Sequence, residues 1–137
     1  AINCRTDEHS GNITSASFLN WYAGIDDDKT LKILTKTLEE TRYPIPSLSI
    51  NSEKFDGMRY WRGPTWAVLN SLVGVGLFEM GHIAEATLLR KRTQSLILEK
   101  GCAEYFHPID GTPGGGDSFT WTAAVWLAWA SPSNGEY

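Results

Sequence analysis

PTWAVLNSLVGVGLFEMGHIAEATLLRKRTQSLILEK, residues 64–100, holds two helical patterns of opposite character joined at Gly81. The first, "PTWAVLNSLVGVGLFEM", opens with Pro64 at a first-turn position, stops before Gly81 and is apolar nearly all round, which predicts a buried helix. The second, "HIAEATLLRKRTQSLILEK", sets Ala86, Leu89, Leu96 and Ile97 in one stripe against a face carrying Arg90, Lys91 and Lys100, which predicts a helix on the outside. The same alternation continues in both directions. Upstream, "DDDKTLKILTKTLEETR" starts with N-cap aspartates and carries Leu31, Leu34 and Leu38 on one stripe, so it reads as outer; "SASFLNWYAG", with Phe18, Leu19, Trp21 and Tyr22, reads as inner. Downstream, "DSFTWTAAVWLAWA" is capped by Asp117 or Ser118, is apolar all round and reads as inner.

Alternating β-branched runs are missing, so the chain reads as all-α: inner, outer, inner, outer, inner. Successive inner segments lie about 50 residues apart, a spacing typical of repeated helical hairpins. The inner-to-outer links, near "GIDD" and at "MGH", are short; the outer-to-inner links, "YPIPSLSINSEKFDGMRYWRG" and "GCAEYFHPIDGTPGGG", are long. Antiparallel packing puts both long links on one face, at the N-terminal ends of inner helices. Unpaired backbone N–H groups there favour an anion or a polar ligand. Long loops in compact domains are usually functional or disordered, and these two predict a shared site.

The composition narrows what that site can do. With 137 residues, 42% hydrophobic and 20% charged, the chain is one globular unit or part of one. A net charge of −4 argues against a nucleic-acid partner. No apolar run is long enough to span a membrane, and "AINCRTDEHS" is too polar for a signal peptide. Cytoplasm is the favoured compartment. Cys4 and Cys102 make no framework, and the sequon at Asn12 matters only in a secreted chain.

In "RYWRGPTW", Tyr60, Trp61 and Trp66 surround Arg62 and a Gly-Pro turn. Aromatic faces stack on the apolar faces of sugar rings while polar neighbours take the hydroxyls, so a carbohydrate is the natural ligand; the same tryptophans could instead pack a hairpin junction. Glu104 stands among Tyr105, Phe106 and His107. Apolar surroundings raise a carboxyl's pKa toward the range useful for proton transfer, whereas an arginine such as Arg62 would make it a structural ion pair. "GTPGGGD" lacks the Gly-Lys-Ser/Thr of a phosphate loop and reads as a flexible turn. Glu104, His107 and His82 lack metal-ligand spacing, so no metal or cofactor is expected and His107 is read as a packed residue.

"YWRGPTW", "EYFHPIDG" and "FTWTAA", in this order and spacing, resemble the C-terminal part of the catalytic domain of glycoside hydrolase family 63. The similarity is closest to its members acting on glucosylglycerate and mannosylglycerate, with trehalases more distant, and extends from about "SASFLNWYAG" to "WLAWA". The resemblance implies an (α/α)6 toroid, of which five helices supply about two and a half of six hairpins. It also implies an inverting hydrolysis in which a glutamate activates water and an aspartate protonates the leaving oxygen. Glu104 would be the general base; Tyr60, Trp61, Trp66 and Trp121 would bind the sugar, and Arg62 would organise its loop. The upstream stretch that carries the family's acid has no match here, and Asp56, Asp110 and Asp117 read as turn or cap residues. The chain is therefore expected to hold the base half of a site completed by the remainder of its own catalytic domain. Two other classes stand beside this: a sugar-binding but catalytically incomplete fragment, and a helical-hairpin domain whose loop tryptophans anchor a protein.

Overall fold

The computed structural model describes residue 2 and residues 4–135. After a 3-10 turn, Ser15–Phe18, come α1 (Asp28–Glu40), α2 (Ala67–Glu79), α3 (Ile83–Lys100) and α4 (Thr120–Val125), whose end passes into a π turn, Trp126–Ala130. The strands, β1 (Tyr105–Phe106) and β2 (Pro113–Gly114), form a short antiparallel ribbon inside the second long link. The fold is all-α with the expected alternation.

Helix α2 lies at the centre, burying Ala67, Asn70, Val73, Gly74, Gly76 and Leu77. Its glycines set how closely its neighbours approach. A Cβ at Gly76 would collide with the backbone of Trp21–Tyr22, and one at Gly74 with the ring of Trp129, so α2 touches the inner elements on both sides. The outer helices bury the predicted stripes: Leu34 and Leu38 from α1, and Ala86, Leu89, Leu96 and Ile97 from α3. Asp27 caps α1 by accepting from Thr30 N at 2.7 Å.

Several local expectations give way to longer-range contacts. "SASFLNWYAG" makes only a 3-10 turn and further turns, with Asn20 Nδ2 donating to Ile25 O, but Phe18 and Trp21 are buried as an inner element requires. Pro64 is not in the first turn of α2. Its carbonyl accepts from Ser47 N and Thr65 N donates to Phe106 O, so the backbone is extended until Trp66, the N-cap. Likewise α4 begins at Thr120 with Phe119 at the cap, not Asp117 or Ser118, because Phe119 N is drawn to Cys102 O at 2.7 Å. Arg90 is not on the outer face of α3: it is buried, donating from Nε to Trp129 O at 2.7 Å and from Nη2 to Ser131 O at 3.1 Å. With Gln94 Nε2 donating to Ala130 O, it satisfies carbonyls left open where the π turn ends. Helix α4 and the π turn after it are buried on one side only, through Thr122, Val125, Trp129 and Ala130, while Trp121, Ala124, Leu127 and Ala128 are exposed.

The two ends of the hairpins differ. At one end the short links are tied together by Asp26, which accepts from Trp21 Nε1 at 3.0 Å and pairs with His82 Nε2 at 2.7 Å. The His82 hydrogen bond, followed by that from Trp21, holds the Asp26 carboxyl below its usual range. At the other end every inner element enters beside a long link: Thr14 bridges Leu48, Thr65 bridges Pro46 and Phe106, and Ser118 bridges Cys102. Buried Asn70 anchors this end, accepting from Ile45 N at 3.0 Å and donating to Pro44 O at 2.7 Å and Thr93 Oγ1 at 3.1 Å. Cys4 and Cys102 are free thiols. No helix of the described residues is long and apolar enough to cross a membrane.

Candidate functional site

The two long links meet where the inner helices start. The first ends in a closed loop: Asp56 N donates to Arg62 O at 2.8 Å, Arg59 N to Asp56 O at 3.0 Å and Arg62 N to Arg59 O at 2.7 Å. Gly63 permits this closure, since a Cβ there would collide with Asp56 O. Arg62 Nε donates to Lys54 O at 3.3 Å, which ties Arg62 to the earlier part of the same link.

Tyr60 stands in this loop with φ of 40°, the left-handed region that a bulky L-residue rarely adopts. Such backbone persists where its surroundings hold it, and it clusters at ligand sites. The anchor is Trp66, whose Nε1 donates to Tyr60 O at 3.1 Å. Trp66 is buried and forms the floor of an aromatic cluster. Trp61 stacks on it with centroids 4.4 Å apart, Tyr60 meets it edge-on at 4.9 Å and Tyr105 lies tilted at 5.4 Å. The two sequence readings fall on different residues: Trp66 is buried and packs the junction, while half-exposed Tyr60 and Trp61 present aromatic surface to solvent.

Glu104 comes from the second link, positioned by its neighbours on the chain. Phe106 is fully buried and exchanges two hydrogen bonds with Thr65, at 2.7 and 3.0 Å, just before α2. Glu104 N donates to Gly116 O at 3.0 Å, and Glu104 Oε1 accepts from the Tyr60 hydroxyl at 2.8 Å. A phenol, not the guanidinium of Arg62, is therefore the partner of this carboxylate. The hydrogen bond to Glu104, followed by loss of water and the negative charge, pushes the Tyr60 phenol above its usual range, so it remains a protonated donor at neutral pH. Apolar enclosure of Glu104 is incomplete, for the residue is only partly buried. One carboxylate oxygen is held by a neutral donor, beside an aromatic wall with exposed faces. Such a group can accept a proton from water.

Other predicted residues fall elsewhere. Trp121 is not part of the Tyr60 ring cluster; its ring contact is edge-on with Phe119 at 6.1 Å, and it walls an open apolar groove with Tyr22, Val68 and Leu72. His107 is packed, as expected, on Gly57 and edge-on to Phe55, with Nδ1 accepting from Ile109 N at 3.3 Å. The carboxylates of Asp56, Asp110 and Asp117 serve their own turns, accepting respectively from Met58 N, Thr112 N and the Ser118 hydroxyl. Two features escaped sequence reasoning. Tyr105 joins the aromatic cluster, and the triple glycine is a packed surface, with Gly114 against the Tyr105 ring and Gly115 against Glu104. The signal was the run of glycines opposite "EY" at ribbon register Tyr105↔Gly114.

A family profile described as the mannosylglycerate hydrolase MGH1-like glycoside hydrolase domain matches residues 1–122. The chain is 36% identical over 120 residues to mannosylglycerate hydrolase MGH1 of Selaginella moellendorffii, covering 85% of this chain and 25% of that protein. It is likewise 36% identical over 120 residues to the mannosylglycerate hydrolase of Thermus thermophilus, covering 85% and 29%. Among solved structures, a family 63 mannosylglycerate hydrolase of Thermus thermophilus in complex with glucose superposes with a TM-score of 0.82 at 34% identity, over 88% of this chain and 32% of that one. The same hydrolase with Tris and D-glycerate gives 0.81 at 33% identity, over 88% and 31%. The chain thus spans between a quarter and a third of the length of these relatives.

Proposed function

Because the chain belongs to the family of mannosylglycerate hydrolase MGH1-like glycoside hydrolase domains, we propose that it forms part of a larger catalytic domain and supplies its general base. Glu104 is that base, and the substrate is a small α-mannoside or α-glucoside such as mannosylglycerate or glucosylglycerate. The observation that carries this reading is the Tyr60–Glu104 hydrogen bond at the edge of the Trp61–Trp66 stack, which brings one oriented carboxylate to an aromatic wall. The names of the relatives and the glucose and glycerate bound to the Thermus thermophilus enzyme support the choice of substrate.

Glu104 takes a proton from a water molecule as that water attacks the anomeric carbon from the face opposite the leaving oxygen. Tyr60 donates to Oε1 and leaves Oε2 to receive the proton. The aromatic faces of Trp61 and Tyr60 bind the apolar side of the sugar. The leaving oxygen is protonated by an acid from the remainder of the domain, roughly 6.5–9.5 Å from Glu104, a gap that admits the water.

The test is release of sugar from mannosylglycerate, glucosylglycerate and trehalose by the complete catalytic domain carrying these residues. The glycerate conjugates should be cleaved with higher kcat/KM than trehalose. A preference for trehalose would overturn the assigned substrate.

A further inference from the structure

The triple glycine, Gly114–Gly116, lies opposite the Glu104–Tyr105 segment, and its middle member has the closest relation to the proposed base. A Cβ on Gly115 would collide with Glu104 Oε2 and stand 2.5 Å from Glu104 Cβ and 3.0 Å from Cδ. The carboxylate cannot swing aside without loss, because Oε1 is held by Tyr60 at 2.8 Å and the Glu104 backbone N by Gly116 O at 3.0 Å. The φ of Gly115 is +74°, so its backbone also favours glycine. Gly24 has the same φ of +74° with nothing within 4 Å of its would-be Cβ. It separates the cost of backbone strain from the cost of contact with Glu104.

We propose that Gly115 is a positioning residue for the reaction: its bare Cα is the surface against which the Glu104 carboxylate rests, and this fixes where the attacking water is held. This rests on the reading of Glu104 as the general base. Any side chain at residue 115 displaces the carboxylate from Tyr60 and from the water, and misplacement by about 1 Å costs on the order of 100-fold in rate.

The variants are made in the complete catalytic domain. Gly115→Ala and Gly115→Asn should each lower kcat about 100-fold with KM little changed, while Gly24→Ala leaves kcat as it was. Asn tolerates positive φ, so Gly115→Asn carries the test should Gly115→Ala fail to fold. Melting temperature reads the contact without activity: Gly115→Ala should destabilise more than Gly24→Ala, and the difference should vanish in a Glu104→Gly background. Persistence of that difference, or full kcat in Gly115→Asn beside an inactive Glu104→Gln, overturns the positioning role and leaves the role of Glu104 intact. An active Glu104→Gln overturns the reading of Glu104 and this proposal with it.

Discussion

Glu104→Gln in the complete catalytic domain should lower kcat by about 1,000-fold, the middle of the range that general acid–base catalysis contributes. The substitution keeps the side chain's size, and the amide oxygen can still accept from the Tyr60 hydroxyl that now holds Oε1 at 2.8 Å. What it removes is the ability to take a proton. KM should therefore change little, because the sugar rests on Trp61 and Tyr60 and not on the carboxylate, and a loss in kcat without a loss in binding marks an interaction made in the transition state. The phenol gives a second readout. Its pKa is held up chiefly by the hydrogen bond to Glu104, and a neutral amide oxygen both accepts more weakly and carries no negative charge, so in Glu104→Gln the Tyr60 titration should move down toward the ordinary tyrosine value. An unchanged kcat would remove Glu104 from the chemistry.

Residues 1–137 on their own should self-associate. Helix α4 and the π turn that follows leave Trp121 57% and Leu127 72% exposed, and Tyr22, in the same groove as Trp121, is 54% exposed. Trp121 and Tyr22, with Val68, Leu72 and Val75 of α2, border an open apolar groove of about 380 Å³, and Leu127 adds a further exposed apolar side chain. Apolar patches of this kind on a soluble chain mark a surface built to be covered. In the relatives the matched segment is only about a quarter to a third of the molecule, and if the chain is part of a larger domain, as proposed, the rest of that domain is the natural cover for this groove. Without it a second copy is the available cover. Sedimentation velocity at micromolar concentration should show species heavier than 15.2 kDa, and Trp121→Lys with Leu127→Lys should shift them toward monomer. A wild-type monomer that melts cooperatively would contradict the need for the remaining domain.

The parts of this architecture that were legible in the sequence are those fixed by local pattern. The stripe of Leu89, Leu96 and Ile97 and the all-round apolar character of residues 67–77 gave the outer and inner positions of α3 and α2 directly. Link lengths then gave the shared face. What was not legible depends on partners distant along the chain. Pro64 looks like a helix start until Ser47 and Phe106 claim the backbone on either side of it. Arg90 looks like a solvent charge until the carbonyls of Trp129 and Ser131 arrive from the next hairpin. The site divides in the same way. Tyr60, Trp61, Trp66 and Glu104 could be nominated from residue type and clustering, but the pairing of Tyr60 with Glu104 crosses 44 residues and has no local signature. Gly115 was read as flexible because only the folded neighbour shows that the missing side chain is space for a carboxylate.

The most direct test of Glu104 as a base acting on water is the configuration of the first sugar released. Complete catalytic domain is mixed with mannosylglycerate in an NMR tube, and the anomeric proton of the product is followed before mutarotation. β-Mannose should appear first from the α-linked substrate, the signature of a single water displacement. Initial release of α-mannose would require a covalent intermediate, make the glutamate a nucleophile and contradict the role assigned to Glu104.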